Sequence, residues 1–367
     1  MRVVISGGGT AGHVLPALAL ADRLREGGAE VSFVGSAEGQ EAKFVPEAGY
    51  AFRGVHVAPA QNRLSPASVR ALTTAWRAAR GCRPLVGGAN VVVGIGGYAS
   101  APGIWAARST RTPVVLIEQN SVPGAVNRLA ARWAKAVALT FADAAERLPR
   151  GTRTVVTGNP VRPGILAVPA NRPALAEEAR TAFDLGSSRR TVLVLGGSQG
   201  ALHLDQAVAG ALALLRDRSD LQLLVAAGTD HVPLIEDAAR DTGSLLVRAL
   251  GYIERMDLAL AVADLAVSRA GAGHIAELAV CGVPAVFVPY PHATENHQEA
   301  NARELARAGA ADVLRDADLS PERLVRAMLA VVEDAARSQA MSAAMTAWAK
   351  PDATERLAEL VTEVAGG

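Results

Sequence analysis

Short apolar runs alternate with stretches of helical period along most of this chain. In the first half, runs at 2–6, 31–35, 91–95, 113–117, 136–140 and 153–157 have the length and β-branched content of buried strands. Between them, stretches such as Ala17–Glu26 and Val126–Ala134 place apolar residues at helical spacing. The second half repeats the scheme, with runs at 191–195, 221–226, 244–248, 264–268 and 284–288. Apolar strands separated by helices predict parallel sheets covered on both faces. Two such sets predict an α/β chain of two doubly wound, Rossmann-like domains. The segment 159–188 is rich in Pro, Ala and Arg and carries no strand pattern, so the linker is placed around 160–165. The closing stretch, Ser338–Val364, reads as amphipathic helix. The expected division is 1–162, 163–340, and a final 341–367 helix returning to the first domain.

Composition narrows the class. The chain has 367 residues, half of them apolar, and a net charge of +1. That length supports two full cores and excludes a disordered or fibrous protein. Lysine occurs only at 43, 135 and 350, and the other basic residues are arginine. Cys82 and Cys281 lie far apart with no CxxC partner, which argues against a disulfide framework or a zinc site. No signal-peptide pattern precedes the first strand, and no apolar run approaches the roughly 18 residues of a membrane span. Any contact with a membrane is therefore expected to be made from its surface.

One local pattern occurs twice. Val3–Ser6 leads into Gly7-Gly8-Gly9-Thr10-Ala11-Gly12-His13, with helical sequence from Leu15; Val192–Leu195 leads into Gly196-Gly197-Ser198-Gln199-Gly200, with helical sequence from Leu202. A glycine loop between strand and helix aims bare N–H groups and a helix N-terminus at an anion. Gly7, Gly9 and Gly12 satisfy G-x-G-x-x-G, but the second strand ends Phe33-Val34-Gly35-Ser36 without the acid that a dinucleotide ribose needs. Glu38 and Glu41 follow and read as loop residues. The second loop lacks the Lys and Ser/Thr of a P-loop. His13, at the start of the first helix, is either a polar helix-start residue or a general base kept neutral by the helix N-terminus. Gly94–Ser100 and Ile117–Asn120 also follow strands, where open α/β sheets bind ligands.

Charge is distributed unevenly. Between Glu47 and Glu118 there is no acidic residue, whereas Arg53, Arg63, Arg70, Arg77, Arg80, Arg83, Arg108 and Arg111 all fall there. Arg63, Arg70 and Arg77 are spaced by seven, and Val69, Leu72 and Trp76 form an apolar stripe at i, i+3, i+7. The pattern fits an anionic membrane surface, and equally a buried stripe with a solvated arginine face. Nucleic acid fits less well, since overall charge is near balance and no binding module is visible.

In the second half, Ser268–Glu277 is another strand–loop–helix element, and Glu277 is placed to accept from a ribose diol or simply to favour the helix N-terminus. Asn296–Asn301 offers amides suited to sugar hydroxyls, or a polar helix start. No Asp-x-Asp metal motif stands among these loops; Asp312 and Asp316–Asp318 come later.

Taken in order, Gly8–His13, Gly96-Gly97-Tyr98, Glu118-Gln119-Asn120, Gly158-Asn159-Pro160-Val161-Arg162, Gly196–Gly200 and the block 268–301 closely resemble the MurG family of peptidoglycan GlcNAc transferases, in glycosyltransferase family 28. The resemblance runs from Gly7 to about Asn301. It implies a GT-B fold with the active site between the domains, an acceptor domain first and a UDP-GlcNAc domain second. It implies transfer of GlcNAc, with inversion, to the MurNAc 4-hydroxyl of undecaprenyl-diphospho-MurNAc-pentapeptide at the cytoplasmic face of the bacterial membrane, with no cofactor or metal. Carried over by motif, Thr10, Ala11, Gly12, Asn120, Arg162, Ser198, Ile253, Ala272, Gly273, His274, Ile275, Ala276, Glu277, Gln298 and Asn301 would contact the sugar nucleotide. Gly9, Gly12, Gly96, Gly97 and Tyr98 would meet the acceptor diphosphate. His13 is the first candidate base and Glu118 the second. Arg63, Val69, Arg70, Leu72, Trp76, Arg77 and Arg80 would form the membrane patch. Cell-wall synthesis and division proteins are candidate partners; nucleic acid is not. Ala11 departs from the Gly that many relatives carry there. The alternatives kept open are another GT-B glycosyltransferase, a UDP-GlcNAc 2-epimerase of the same fold, and a nucleotide-binding regulatory module.

Overall fold

The structure, a computed structural model, describes residues 1–57, 66–197 and 201–367; the side chains of 11, 66–73, 75 and 76 also lie outside the description. The chain divides into two compact units, Met1–Arg162 with Lys350–Gly367, and Pro163–Ala349.

The first unit is built on a seven-stranded parallel sheet in the order β3-β2-β1-β4-β5-β6-β7. Its strands are β1 (Arg2–Ser6), β2 (Glu30–Ser36), β3 (Ala51–Val55), β4 (Val91–Gly94), β5 (Val114–Glu118), β6 (Ala136–Leu139) and β7 (Thr154–Val156). Its helices are α1 (Ala11–Glu26), α2 (Glu41–Glu47), α3 (Pro66–Val86), α4 (Ala101–Thr110) and α5 (Ala125–Ala130). Successive strand residues point to opposite faces. Val3, Ile5, Val91, Val93, Val115 and Ile117 pack with Val14, Leu20 and Leu24 of α1. Val4, Val92, Val114, Leu116, Val137 and Leu139 pack on the other face with Cys82 and Val86 of α3 and Ile104 of α4.

The second unit has a six-stranded parallel sheet, β10-β9-β8-β11-β12-β13. The strands are β8 (Arg190–Leu195), β9 (Leu221–Ala226), β10 (Leu246–Leu250), β11 (Leu265–Ser268), β12 (Ala285–Phe287) and β13 (Ala311–Val313). Its helices are α6 (Pro163–Leu166), α7 (Val168–Ala182), α8 (Leu202–Leu214), α9 (Val232–Ala239), α10 (Met256–Val262), α11 (Ala272–Val280), α12 (His297–Arg307), α13 (Pro321–Val332) and α14 (Ala335–Trp348). Val192, Val194, Leu223, Val225 and Val267 pack with Leu204, Val208, Leu324 and Val331 of α8 and α13.

Three details depart from the sequence pattern. The edge strands β3 and β13 were not expected: β3 is mostly exposed and β13 is only three residues long, so neither shows an apolar run. The first helix begins at Ala11 rather than Leu15. The closing stretch is two helices, not one. The helix α14 belongs to the second unit and ends before Pro351, which cannot continue it. Only α15 (Ala353–Gly366) joins the first unit, through Leu357, Leu360, Val361 and Val364. The crossing therefore falls at Lys350 rather than 341.

In each sheet the strand order reverses once, between β1 and β4 and between β8 and β11. Ligands of open α/β sheets bind at the strand ends beside such a reversal. Both glycine loops stand there.

Candidate functional site

In the first unit, β1 ends at Ser6 and the chain enters Gly7, Gly8 and Gly9 with φ of 140°, 146° and 95°. Only glycine adopts such a run at low cost. The loop is held by Glu41, at the start of α2. Gly9 N–H donates to Glu41 Oε2 at 2.6 Å and Ser36 N–H to Oε1 at 2.7 Å. Glu41, expected in a loop, is helical and 1% exposed. Its signal was its position, just past the second strand, where a dinucleotide site keeps its acid. Gly9 was expected to offer its N–H to an acceptor diphosphate, but that N–H is already bound to Glu41.

Thr10 caps α1 with extended backbone and, like Gly12, is exposed. The first turn of a helix leaves N–H groups without intrahelical partners. Ala11 is the first helical residue there. His13 is half-buried, and its Nδ1 lies 3.0 Å from Thr10 Oγ1. In the tautomer where Nδ1 donates to Thr10, Nε2 carries the lone pair of a base. A side chain added at Gly96 would come to 3.9 Å from the His13 ring, so the two loops adjoin. Gly96 and Gly97 have φ of 85° and 68°, and Tyr98 beyond them is 39% exposed.

Glu118 is buried at the end of β5. It accepts from Asn120 N–H and Gly124 N–H at 3.0 Å and from Asn127 Nδ2 at 2.9 Å. Burial pushes its carboxyl above the ordinary value, against those hydrogen bonds. The second candidate base is thus enclosed: it shapes the 119–124 turn and presents no open carboxylate. Asn120, half-buried, stands on that turn. Arg162, also half-buried, is the last residue of the first unit before the chain enters the second.

In the second unit, the loop after β8 begins with Gly196 and Gly197; Ser198 lies outside the described residues. Asp205, in the first turn of α8, is fully buried. It accepts from Ala201 N–H at 3.0 Å, and its Oδ2 lies 2.7 Å from His231 Nδ1. Burial raises its carboxyl, opposed by those two contacts. After β11, Arg269 is buried and donates to the carbonyls of Val288 and Pro289 and to Asp316 Oδ1 at 2.5 Å. Asp316 Oδ2 meets His203 Nδ1 at 2.7 Å. Burial alone would raise Asp316, but the contacts from His203 and Arg269 outweigh it and hold the carboxyl low. This network ties together the ends of β11 and β12, the start of α8 and the segment after β13. Asp318 pairs with Arg315 and Arg323.

Helix α11 starts at Ala272 with Gly271 at its cap, so its free N–H end follows β11 directly. Gly273, His274 and Glu277 are half-buried; Ala272, Ile275 and Ala276 are buried. His274 Nδ1 lies 3.1 Å from Ser268 Oγ. Ile253 is buried beside exposed Tyr252. Gln298 Oε1 accepts from Ala270 N–H at 3.1 Å and Tyr290 N–H at 3.0 Å. Its oxygen is engaged with backbone, so its amide N–H groups are the part suited to a sugar hydroxyl. Asn301 was expected at the sugar. It is instead fully buried and donates to Ala270 O at 3.2 Å, bracing the loop from behind.

Of the expected membrane patch, Arg63 lies outside the described residues. Val69, Arg70, Leu72 and Trp76 fall within α3 with side chains outside the description. Arg77 and Arg80 are exposed on that helix. Among the described residues no helix is long and apolar enough to span a membrane. Among the same residues no cluster of His, Cys, Asp or Glu is arranged to hold a metal ion.

Two Rossmann-like units, each with a parallel sheet whose strand order reverses once, have the layout of the GT-B fold, which serves enzymes of sugar nucleotides. The models of the glycosyltransferase family 28 N-terminal and C-terminal domains match residues 3–139 and 191–357. The chain is 42% identical over 376 residues to the UDP-N-acetylglucosamine--N-acetylmuramyl-(pentapeptide) pyrophosphoryl-undecaprenol N-acetylglucosamine transferase of a Nocardioides species, covering 100% of this chain and 99% of that one. It is 40% identical to the transferase of the same name from Moorella thermoacetica, over 98% of both. Among solved structures it is similar to MurG of Acinetobacter baumannii, with TM-score 0.77 and 29% identity over 99% of each chain. The UDP-GlcNAc 2-epimerase of Neisseria meningitidis shares the fold at TM-score 0.69 and 12% identity. The chain belongs to glycosyltransferase family 28, among these GlcNAc transferases, and is a UDP-sugar-dependent hexosyltransferase.

Proposed function

We propose that the enzyme transfers GlcNAc from UDP-GlcNAc to the MurNAc 4-hydroxyl of undecaprenyl-diphospho-MurNAc-pentapeptide, forming a β-1,4 bond with inversion and releasing UDP. What carries this reading is full-length likeness to transferases of that name. The second unit takes the donor. The N-terminal end of α11 faces the charge that builds on the departing diphosphate, through N–H groups fixed before the reaction, and the glycine motif after β8 is assigned to the same diphosphate. Glu277 accepts from the ribose, and the Gln298 amide donates to the sugar. The first unit takes the acceptor at the first turn of α1 and at Gly96–Tyr98. His13 Nε2 removes the hydroxyl proton as the anomeric carbon takes on oxocarbenium character. The reaction uses protein groups alone, without a cofactor. The enzyme sits peripherally on the cytoplasmic face of the membrane, with the arginines of α3 toward anionic lipid, within reach of other cell-wall synthesis and division proteins.

The decisive assay is UDP release from UDP-GlcNAc with and without a lipid I analogue. Release that depends on the analogue is expected. Turnover of UDP-GlcNAc alone would point to an epimerase, and tight UDP-sugar binding without turnover to a regulatory module. Turnover only with other acceptors would point to a different glycosyltransferase.

A further inference from the structure

Three consecutive glycines with positive φ form a loop that is expensive to order, because glycine loses the most backbone freedom on folding. In a ligand-binding loop of this kind, the incoming anion commonly supplies the hold. Here the hold is internal. The Glu41 carboxylate is 1% exposed and uses one oxygen on Gly9 N–H and the other on Ser36 N–H. Hydrogen bonds to an ionised carboxylate are roughly twice as strong as neutral ones. The backbone closes around it: a Cβ on Gly8, Gly35 or Gly39 would overlap the Glu41 side chain. The clamp joins the end of β2 to the loop that sets where α1 begins. It therefore also sets where Thr10, the first N–H groups of α1 and His13 point.

We infer that Glu41 is a positioning residue for the acceptor half of the reaction. It fills with a side-chain carboxylate the place of a ligand anion in the first glycine loop, and so aims the α1 N-terminus and His13. This rests on the proposed acceptor role of the first unit.

The test uses the full chain with UDP-GlcNAc and a lipid I analogue. Glu41→Gln keeps the shape but turns an amide donor toward one of the two N–H groups. It should lower kcat at least tenfold and raise the acceptor KM at least threefold. The donor KM, and UDP affinity measured by calorimetry, should stay within twofold. Gly39→Ala is the second variant, since its Cβ would displace the carboxylate without removing it, at a glycine whose φ is not in the left-handed region. It should give the same split, and it carries the test if Glu41→Gln does not fold. Unchanged acceptor parameters, or donor and acceptor constants worsening together with thermal stability, would overturn the role of Glu41 and leave the proposed function standing. Wild-type enzyme inactive on the analogue would overturn the function and this role with it.

Discussion

The two glycine loops occupy equivalent places in their sheets but are held by different means. The first is gripped inside its glycine run by Glu41, which comes from another element 32 residues away. The second is gripped at its helix end by Asp205, from the first turn of its own helix, with His231 behind it. The first contact ties its loop to the end of β2 as well, whereas the second stays within the start of α8 and reaches His231. The difference suits the proposed labour of the two units: one positions a base and an acceptor hydroxyl, the other cradles a diphosphate.

The comparison breaks most sharply at His13. If the first loop carries the chemistry, His13→Ala lowers kcat by about 10²- to 10⁴-fold with little change in donor KM, read by steady-state kinetics. Near-normal turnover would remove His13 from the role of base. On the donor side, Arg269→Met leaves Asp316 without its buried partner. Loss of one member of such a pair costs about 3–5 kcal/mol, seen in thermal unfolding, with a rise in donor KM and no change in acceptor KM. A variant as stable as wild type would show that this network does not hold the second unit's loops.

A smaller effect should separate the units at the membrane. Changing Arg70, Arg77 and Arg80 to Glu should weaken binding to anionic vesicles at least tenfold, from roughly 1 kcal/mol per charge near such a surface. UDP-GlcNAc affinity should not change. Vesicle binding that survives would show that α3 presents a solvated face. The smallest effect is a tilt of stability with pH. Glu118 has a folded pKa raised above its unfolded value of 4.5, so the folded chain holds the extra proton in the window between them. Its contribution is present in full below pH 4.5 and is lost as pH rises through the raised folded value, with a limiting slope of about 1.4 kcal/mol per pH unit. Glu118→Gln should flatten that slope in melting temperature against pH. Parallel curves would mean that the group ionises alike in both states.

The fold was legible because its signals are local. A strand such as Val192–Leu195 announces itself as a buried apolar run, and the glycine loops follow within the next few residues. Edge strands β3 and β13 gave no such run because water covers part of each. The places of the candidate residues were legible where a motif stands beside the strand that presents it, as at His13 and at Ala272–Glu277. They were not legible where a side chain is held by a partner distant in sequence. Arg269 and Asp316 are 47 residues apart, and Asp316 was read only as part of a missing metal motif. Asn301 looked like a sugar contact because its amide chemistry fits one, yet an amide serves equally well inside the loop.

The return of α15 to the first unit has a consequence for the order in which the protein is made. The residues that close the second unit have all emerged by Ala349, whereas the first unit still lacks Leu357, Val361 and Val364 from its core. Domains generally fold as units during synthesis, N-terminal first. Here that order is reversed at the point of completion: the half that begins translation must wait, with one face of its sheet incompletely covered, until the inserted half is finished.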